Sequence, residues 1–457
     1  MDVLFVVVDS LRAHPFSDGR VAPTPFLDSL ERRAVSFSRA YATECWTLPS
    51  HASIFTGLMP SDHGAHFQHM AYDRSAPTLA DVLSARGYAT ELATRNFVFD
   101  GTIPGINRGF DRRSRILRQR RGWDLTPWFL AATKPRFRRH VRNTGFFHPD
   151  HQSSRAFLGE FARTLLPADD LLLEYAVERM GANRRVGARS FLFVNLYDVH
   201  APYAPRDDSL LRPWRAPGGI VENVSTPFAL SRLGQHRYLR ADFALPAFVR
   251  SILAERYRAA VARMDAKLAH FFERLVASNL LDDAMVIVTS DHGEGFGEHG
   301  LFLHDASVFE THLHVPLWIM VPGRAPGRVE DVVSTRHLYD LVAGVASGDT
   351  APSILDAEFR ARHPVAFAQH YRYPHLRDVM PQYTFNRFAA VGRTAKLVTC
   401  GGRPFLVDLH SDPGEQKATP ISWTDGMSAV LDGGASARVG ASVAKDALRY
   451  ATAVDSG

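Results

Sequence analysis

Residues 2–10 read DVLFVVVDS: six apolar residues run without a break from Val3 and stop at two polar groups, Asp9 and Ser10. A β-branched run lacking polar alternation predicts a strand covered on both faces, the kind found in a mostly parallel sheet. Similar short apolar runs predict strands at 3–8, 88–94, 191–197, 285–290 and 315–321. Helical patterns lie among them at 25–35, 79–86, 170–183, 245–278 and 336–346, the long one expected to break near its start. The expected fold is α/β, a large mostly parallel sheet sandwiched by helices.

The chain has 457 residues, 46% hydrophobic and 22% charged, a balance that suits a soluble globular protein with room for more than one domain. The α/β domain is expected over residues 1–363, with irregular insertions at about 100–160 and 201–245. Past Pro364 the texture changes to FAAVGRTAKLVTCGGRPFLVDL, alternating strands around a Gly-Gly turn. That predicts a small C-terminal antiparallel α+β subdomain over 364–420, followed by a loosely ordered tail over 421–457. Two cysteines, Cys45 and Cys400, cannot make a disulfide framework. No secretion signal precedes the first strand and no uncharged apolar stretch is long enough to span a bilayer, so a cytoplasmic location is expected. Net charge is +5, yet residues 108–142 alone carry +10 and leave about −5 for the remainder. The segment reads as a solvated basic excursion, with a lure for an anionic ester as the functional alternative. Nucleic acid is not expected, because no nucleic-acid fold signature accompanies the charge.

Three of the predicted strands end in polar clusters: Asp9-Ser10, Asp198-Val199-His200 and Asp291-His292-Gly293-Glu294. One Asp after a strand is an ordinary turn former. Three clusters at the carboxyl edge of one sheet are expected to share a metal and anion site. Residues 45–57, CWTLPSHASIFTG, add a hydroxyl: Pro49 suits a first helical turn and Gly57 its end, so Thr47 is expected at a helix N-terminus, where anions are favoured. A Thr hydroxyl is a poor nucleophile unless a metal or base takes its proton. Asp9, Asp291 and His292 supply donors for such a metal. Cys45 is expected to be a small, semi-buried residue.

These residues belong to ordered blocks: DVLFVVVDSLRAH, WTLPSHASIFTGLMPSDHG, GYATELATRN, GINRGFDRR, FLFVNLYDVHAPY, SDHGEGFGEHGLFLHDASVFETHLHVPL and FLVDLHSDPGEQ. Over nearly its whole length the chain resembles the sulfatase family of the alkaline phosphatase superfamily. The resemblance implies that the family's nucleophile pattern, Cys/Ser-x-Pro-x-Arg, falls on Thr47-Leu48-Pro49-Ser50-His51. Sulfatases of the usual sort convert that Cys or Ser to formylglycine; Thr cannot become that aldehyde, and Cys45 is out of register. The resemblance further implies that Asp9 is one metal ligand, with Ser10 where a second Asp is usual, and that Asp291-His292 is the later metal pair. His51 stands where the family has Arg, His200 matches an anion-contacting histidine, His304 sits where many members have Lys, and Asn96 lies near the other anion-contacting stretch.

The metal set is thus Asp9, Thr47, Asp291 and His292, around one divalent ion; Mn²⁺ or Zn²⁺ suits the imidazole, Ca²⁺ or Mg²⁺ the oxygens. A second metal, drawn from Asp198, His200, His299 and His304, is not favoured. Thr47 is the expected nucleophile, His200 or His304 the general acid, and Asn96, His51, His200 and His304 the substrate contacts. The expected activity is metal-dependent hydrolysis of a small-molecule, glycan or lipid sulfate or phosphate ester through a covalent intermediate. A Thr nucleophile also resembles the superfamily's phosphodiesterases and phosphotransferases, which keeps a lipid or nucleotide donor as the alternative. A binding protein on a decayed scaffold comes third.

Overall fold

The computed structural model describes residues 1–13, 19, 22–99, 101, 103–114, 169–201, 203, 247–304, 306–348, 352–372, 385–431 and 437–455. The insertion at 201–245 therefore lies almost wholly outside the described residues, as does the basic segment from residue 115 onward.

Nine strands form the main sheet: β1 Asp2–Val8, β2 Val35–Tyr41, β3 Ala89–Thr94, β4 Arg112–Arg113, β5 Ser190–Leu196, β6 Ala284–Thr289, β9 His314–Met320, β10 Gly327–Val329 and β11 Val333–Ser334. Their order is β10-β2-β9-β6-β1-β5-β3-β4, with β11 also on β2. A two-stranded ribbon, β7 Gly295–Phe296 and β8 Phe302–Leu303, lies apart from it. All main-sheet pairings are parallel except those of β9, which runs antiparallel to both β2 and β6. The sheet is mixed and mostly parallel.

β1 explains its own sequence. Val3, Phe5 and Val7 enter one core with Leu48, Phe55, Phe193 and Ile287. Leu4, Val6 and Val8 enter the other with Leu192, Met264 and Phe271. Both faces are buried, so no position calls for a polar side chain. Helix α2, Thr47–Thr56, covers the first face; helices Asp169–Arg185 and Ala247–Ala277 cover the second. The long helix is unbroken from Ala247, contrary to the expected break.

One reading is corrected at β2. The helix expected over 25–35 is shorter, α1 Pro25–Leu30, and Val35 opens a strand instead. At the C-terminal end, β12 Ala366–His370, β13 Arg387–Val391, β14 Ala395–Cys400, β15 Arg403–Asp408 and β16 Thr419–Pro420 form the small antiparallel sheet. Gly401 and Gly402, both at positive φ, turn β14 into β15, as a two-residue hairpin loop requires. Helices Trp423–Leu431 and Ala437–Asp455 pack Met427, Val430, Val443, Ala447 and Tyr450 against Phe367 and Phe388.

Candidate active site

The parallel register brings the polar clusters together. Val7 pairs with Asn195 on one side and Thr289 on the other, so β1, β5 and β6 end level. Asp9, the 197–200 segment and Asp291-His292 therefore emerge at one sheet edge. Asp9, Asp291 and His292 lie with one donor atom of each within 4.8 Å of the others, all fully buried.

Ser10 makes the turn that joins the two carboxylates. It adopts φ +64°, the left-handed region that non-glycine residues seldom visit. In that conformation its N–H donates to Asp291 Oδ1 at 3.3 Å and its hydroxyl to Asp9 Oδ1 at 3.1 Å. Where the resemblance implies a second carboxylate, this chain has a hydrogen-bond donor.

Helix α2 starts at Thr47 itself, with Pro49 in its first turn and Gly57 closing it at φ +72°. Thr47 Oγ1 is 3.5 Å from His292 Nε2. His292 Nδ1 donates to the Gly293 carbonyl at 2.9 Å, so in the neutral ring Nε2 presents a lone pair. That lone pair faces Asp291 Oδ2 at 3.4 Å and Asp9 Oδ1 at 3.7 Å. Asp291 Oδ2 has no hydrogen-bond partner among the described residues. Electron pairs from two carboxylates, an imidazole and a hydroxyl thus point at each other among buried side chains, which repels unless a cation stands among them. The titration behaviour agrees: burial, with Asp291 next, pushes Asp9 up to about 7, and burial pushes Asp291 up to about 7. Burial takes His292 down to about 4, leaving the ring neutral. These residues fit a divalent metal ion.

Asn96 is buried beside Asp9. Its amide donates to Asp9 Oδ2 at 2.8 Å and accepts from Val98 N at 3.0 Å, so it orients a carboxylate. His51 is fully buried. Nδ1 donates to the Thr47 carbonyl at 2.9 Å and lies 3.4 Å from Asp291 Oδ2, while Phe55, Phe99 and Phe193 enclose the ring. Burial takes it down to about 3, so it brings no positive charge where the family pattern has Arg.

His304 and His200 complete the wall. His304 stacks on His292 with ring centres 4.5 Å apart and meets His200 at 4.9 Å. Its Nδ1 donates to the fully buried Glu294 at 3.0 Å. Its side chain is 14% exposed. His200 donates from Nδ1 to Ala201 O at 2.7 Å, and Tyr197 OH lies 3.3 Å from its Nε2. Glu294 was missed as a partner, although it stands in the same DHGE run. Arg95 was missed too: it pairs with Asp169 at 2.9 Å and with Asp198, which also meets Lys267. Asp198 is thereby taken up in ion pairs, and His299 stacks on Phe309, 3.7 Å away.

A family model described as Sulfatase matches residues 1–357. Choline-sulfatase of Rhizobium meliloti (strain 1021) is 26% identical over 372 residues, covering 77% of this chain and 69% of the relative. Iduronate 2-sulfatase of Homo sapiens is 24% identical over 356 residues, covering 71% of this chain and 60% of the relative. Among solved structures, a phosphonate monoester hydrolase from Silicibacter pomeroyi superposes with a TM-score of 0.61 at 20% identity, over 98% of this chain and 95% of that one.

Proposed function

The chain belongs to the sulfatase family, and from that premise we propose that it is a metal-dependent hydrolase of a small anionic ester, sulfate or phosphate, with Thr47 as its nucleophile. One observation carries the reading: Thr47 Oγ1 lies at the N-terminus of α2, 3.5 Å from His292 Nε2 and at the edge of the Asp9–Asp291–His292 cluster.

Thr47 Cβ bears a methyl group, so oxidation there gives a ketone and not the aldehyde of formylglycine. The hydroxyl itself is left as the reacting group. Asp9, Asp291, His292 and Thr47 Oγ1 would hold the ion, which supplies Lewis-acid stabilisation of negative charge on the transferring group. Thr47 Oγ1, its proton given up to solvent, attacks sulfur or phosphorus; the new Oγ1 bond forms as the bond to the ester oxygen breaks and that oxygen leaves. His304, oriented through Nδ1 by Glu294, protonates that oxygen from Nε2. The free N–H groups of the first turn of α2 add electrostatic support for the anion. Water then releases the anion from Thr47. Asn96 and Ser10 hold the carboxylates, and His51 fixes the first turn beneath the nucleophile.

Aryl sulfate, aryl phosphate and aryl phosphodiester substrates, each assayed with Mn²⁺, Zn²⁺, Mg²⁺ and Ca²⁺, test the proposal. At least one ester is expected to turn over, dependent on metal and on Thr47. Equal hydrolysis by wild type and Thr47→Ala would reject the nucleophile. Intact mass after a substrate pulse is expected to show one added sulfo or phospho group mapping to Thr47.

A further inference from the structure

Two residues before the nucleophile, the chain carries a second group of ligand atoms that the proposed reaction does not use. We propose that Glu44, Cys45 and His370 form a separate structural metal site for a borderline-soft divalent ion of the zinc type.

The three side chains come from segments more than 300 positions apart and are fully buried. A backbone hydrogen bond from Gln369 N to Thr43 O, 2.9 Å long, already holds the segments together. One ligand atom from each residue lies within 4.8 Å of the others. Cys45 Sγ is 3.7 Å from His370 Nδ1. A tetrahedral ion with bonds of about 2.3 Å to sulfur and about 2.0 Å to nitrogen sets those atoms roughly 3.5 Å apart. Glu44 Oε1 lies 3.0 Å from the same Nδ1 and accepts from Cys45 N at 2.9 Å.

A further atom points to a ligand. Glu44 Oε2 is buried with no hydrogen-bond partner among the described residues. A buried carboxylate with an idle oxygen is costly, and a cation removes that cost. Thiolate, imidazole and carboxylate together favour zinc-type ions over Ca²⁺ or Mg²⁺, which take oxygen alone. Binding expels the Cys45 thiol proton and shifts the imidazole proton from Nδ1 to Nε2. Sγ, Nδ1 and a Glu44 oxygen then serve as donors. The ion would clasp the segment that leads into Thr47 to the end of β12. Phe67 packs edge-on to His370 and stacks on Trp46, closing the site on one side.

The test uses Co²⁺ added to chelator-treated full-length protein. A thiolate-to-cobalt charge-transfer band is expected at one equivalent. The Thr47 site has no thiolate and so contributes nothing to that band, which separates this proposal from the catalytic one. Zn²⁺ should displace the band, Cys45→Ser should abolish it and Cys400→Ser should keep it. No band in wild type, or a band surviving Cys45→Ser, overturns the site. Because Cys45→Ser also removes a fully buried side chain, alkylation of Cys45 is followed by mass spectrometry in the unaltered chain as well. Zn²⁺ is expected to slow it at least about tenfold, and an unchanged rate overturns the site equally.

Discussion

At Thr47 one methyl group separates two chemistries. A hydroxyl on a β-branched carbon can attack an ester directly but cannot become the aldehyde that a Cys or Ser at this position would yield. Thr47→Ser is expected to keep activity within about tenfold, ~1.4 kcal/mol in barrier. Thr47→Ala is expected to lose roughly 10³-fold or more in kcat, as removal of a nucleophile does elsewhere. Steady-state rates on the best aryl ester check both, and a fully active alanine variant would move the nucleophile elsewhere. The two carboxylates beside it carry a pH signature. In the metal-free protein Asp9 and Asp291 sit at about 7 against an ordinary 3.8, so between those values the folded chain holds more protons than the unfolded one. Their contribution is present at low pH and is lost as pH rises through 7. Buried histidines such as His51 and His312, held down to about 3, act in the opposite sense below pH 6.5. The comparison is therefore with Asp9→Asn/Asp291→Asn: from pH 5 to pH 8 the chelated wild type should lose thermal stability relative to the variant. A constant gap between the two melting curves would contradict the assignment.

Helix α2 is where short-range pattern and tertiary context meet. Its ten residues are all buried, and it ends at Gly57 with φ +72°. A Cβ there would stand 3.2 Å from the Tyr339 ring. Gly57→Ala combines left-handed strain with crowding and is expected to cost about 1–3 kcal/mol, read as a lower melting temperature. Gly57 as an end was legible from its residue type, and so was Thr47 at the start. What each side chain touches was not. Asn96 and His51 stand close to the anion-contacting positions of the family pattern, yet one orients Asp9 and the other fills an aromatic box. Spacing along the chain carries no information on which way an amide or a ring turns. β2 escaped for a different reason. Val35, Ser36, Phe37, Ser38 and Arg39 alternate weakly after a good helix pattern, and only pairing with β9, β10 and β11 makes the segment a strand. By contrast β1, β5 and β6 announced themselves, because burial on both faces leaves each with an unbroken apolar run, residues 3–8, 191–194 and 284–288.

Between the large sheet and the small one the protein places a charge cluster that no local pattern revealed. Lys396 of β14, fully buried, ion-pairs with Glu310 at 3.0 Å and with Glu415 at 2.8 Å. Tyr41, on β2, donates to Glu310 Oε2 at 3.0 Å, and Glu310 N donates to Glu415 Oε2 at 2.6 Å. The cluster thus ties the main sheet to the C-terminal one through charges with little water around them. In such a place each charge is tolerated because the others are present. Lys396→Met removes the cation and leaves two carboxylates facing each other in a dry interface, which is expected to cost about 3–5 kcal/mol. Denaturant unfolding should show the loss in the midpoint. The triple variant Lys396→Met/Glu310→Gln/Glu415→Gln removes the uncompensated charge as well and should regain most of the stability. A single variant as stable as wild type would mean that the carboxylates find protons or water at no cost, and the cluster would then not be what joins the two sheets.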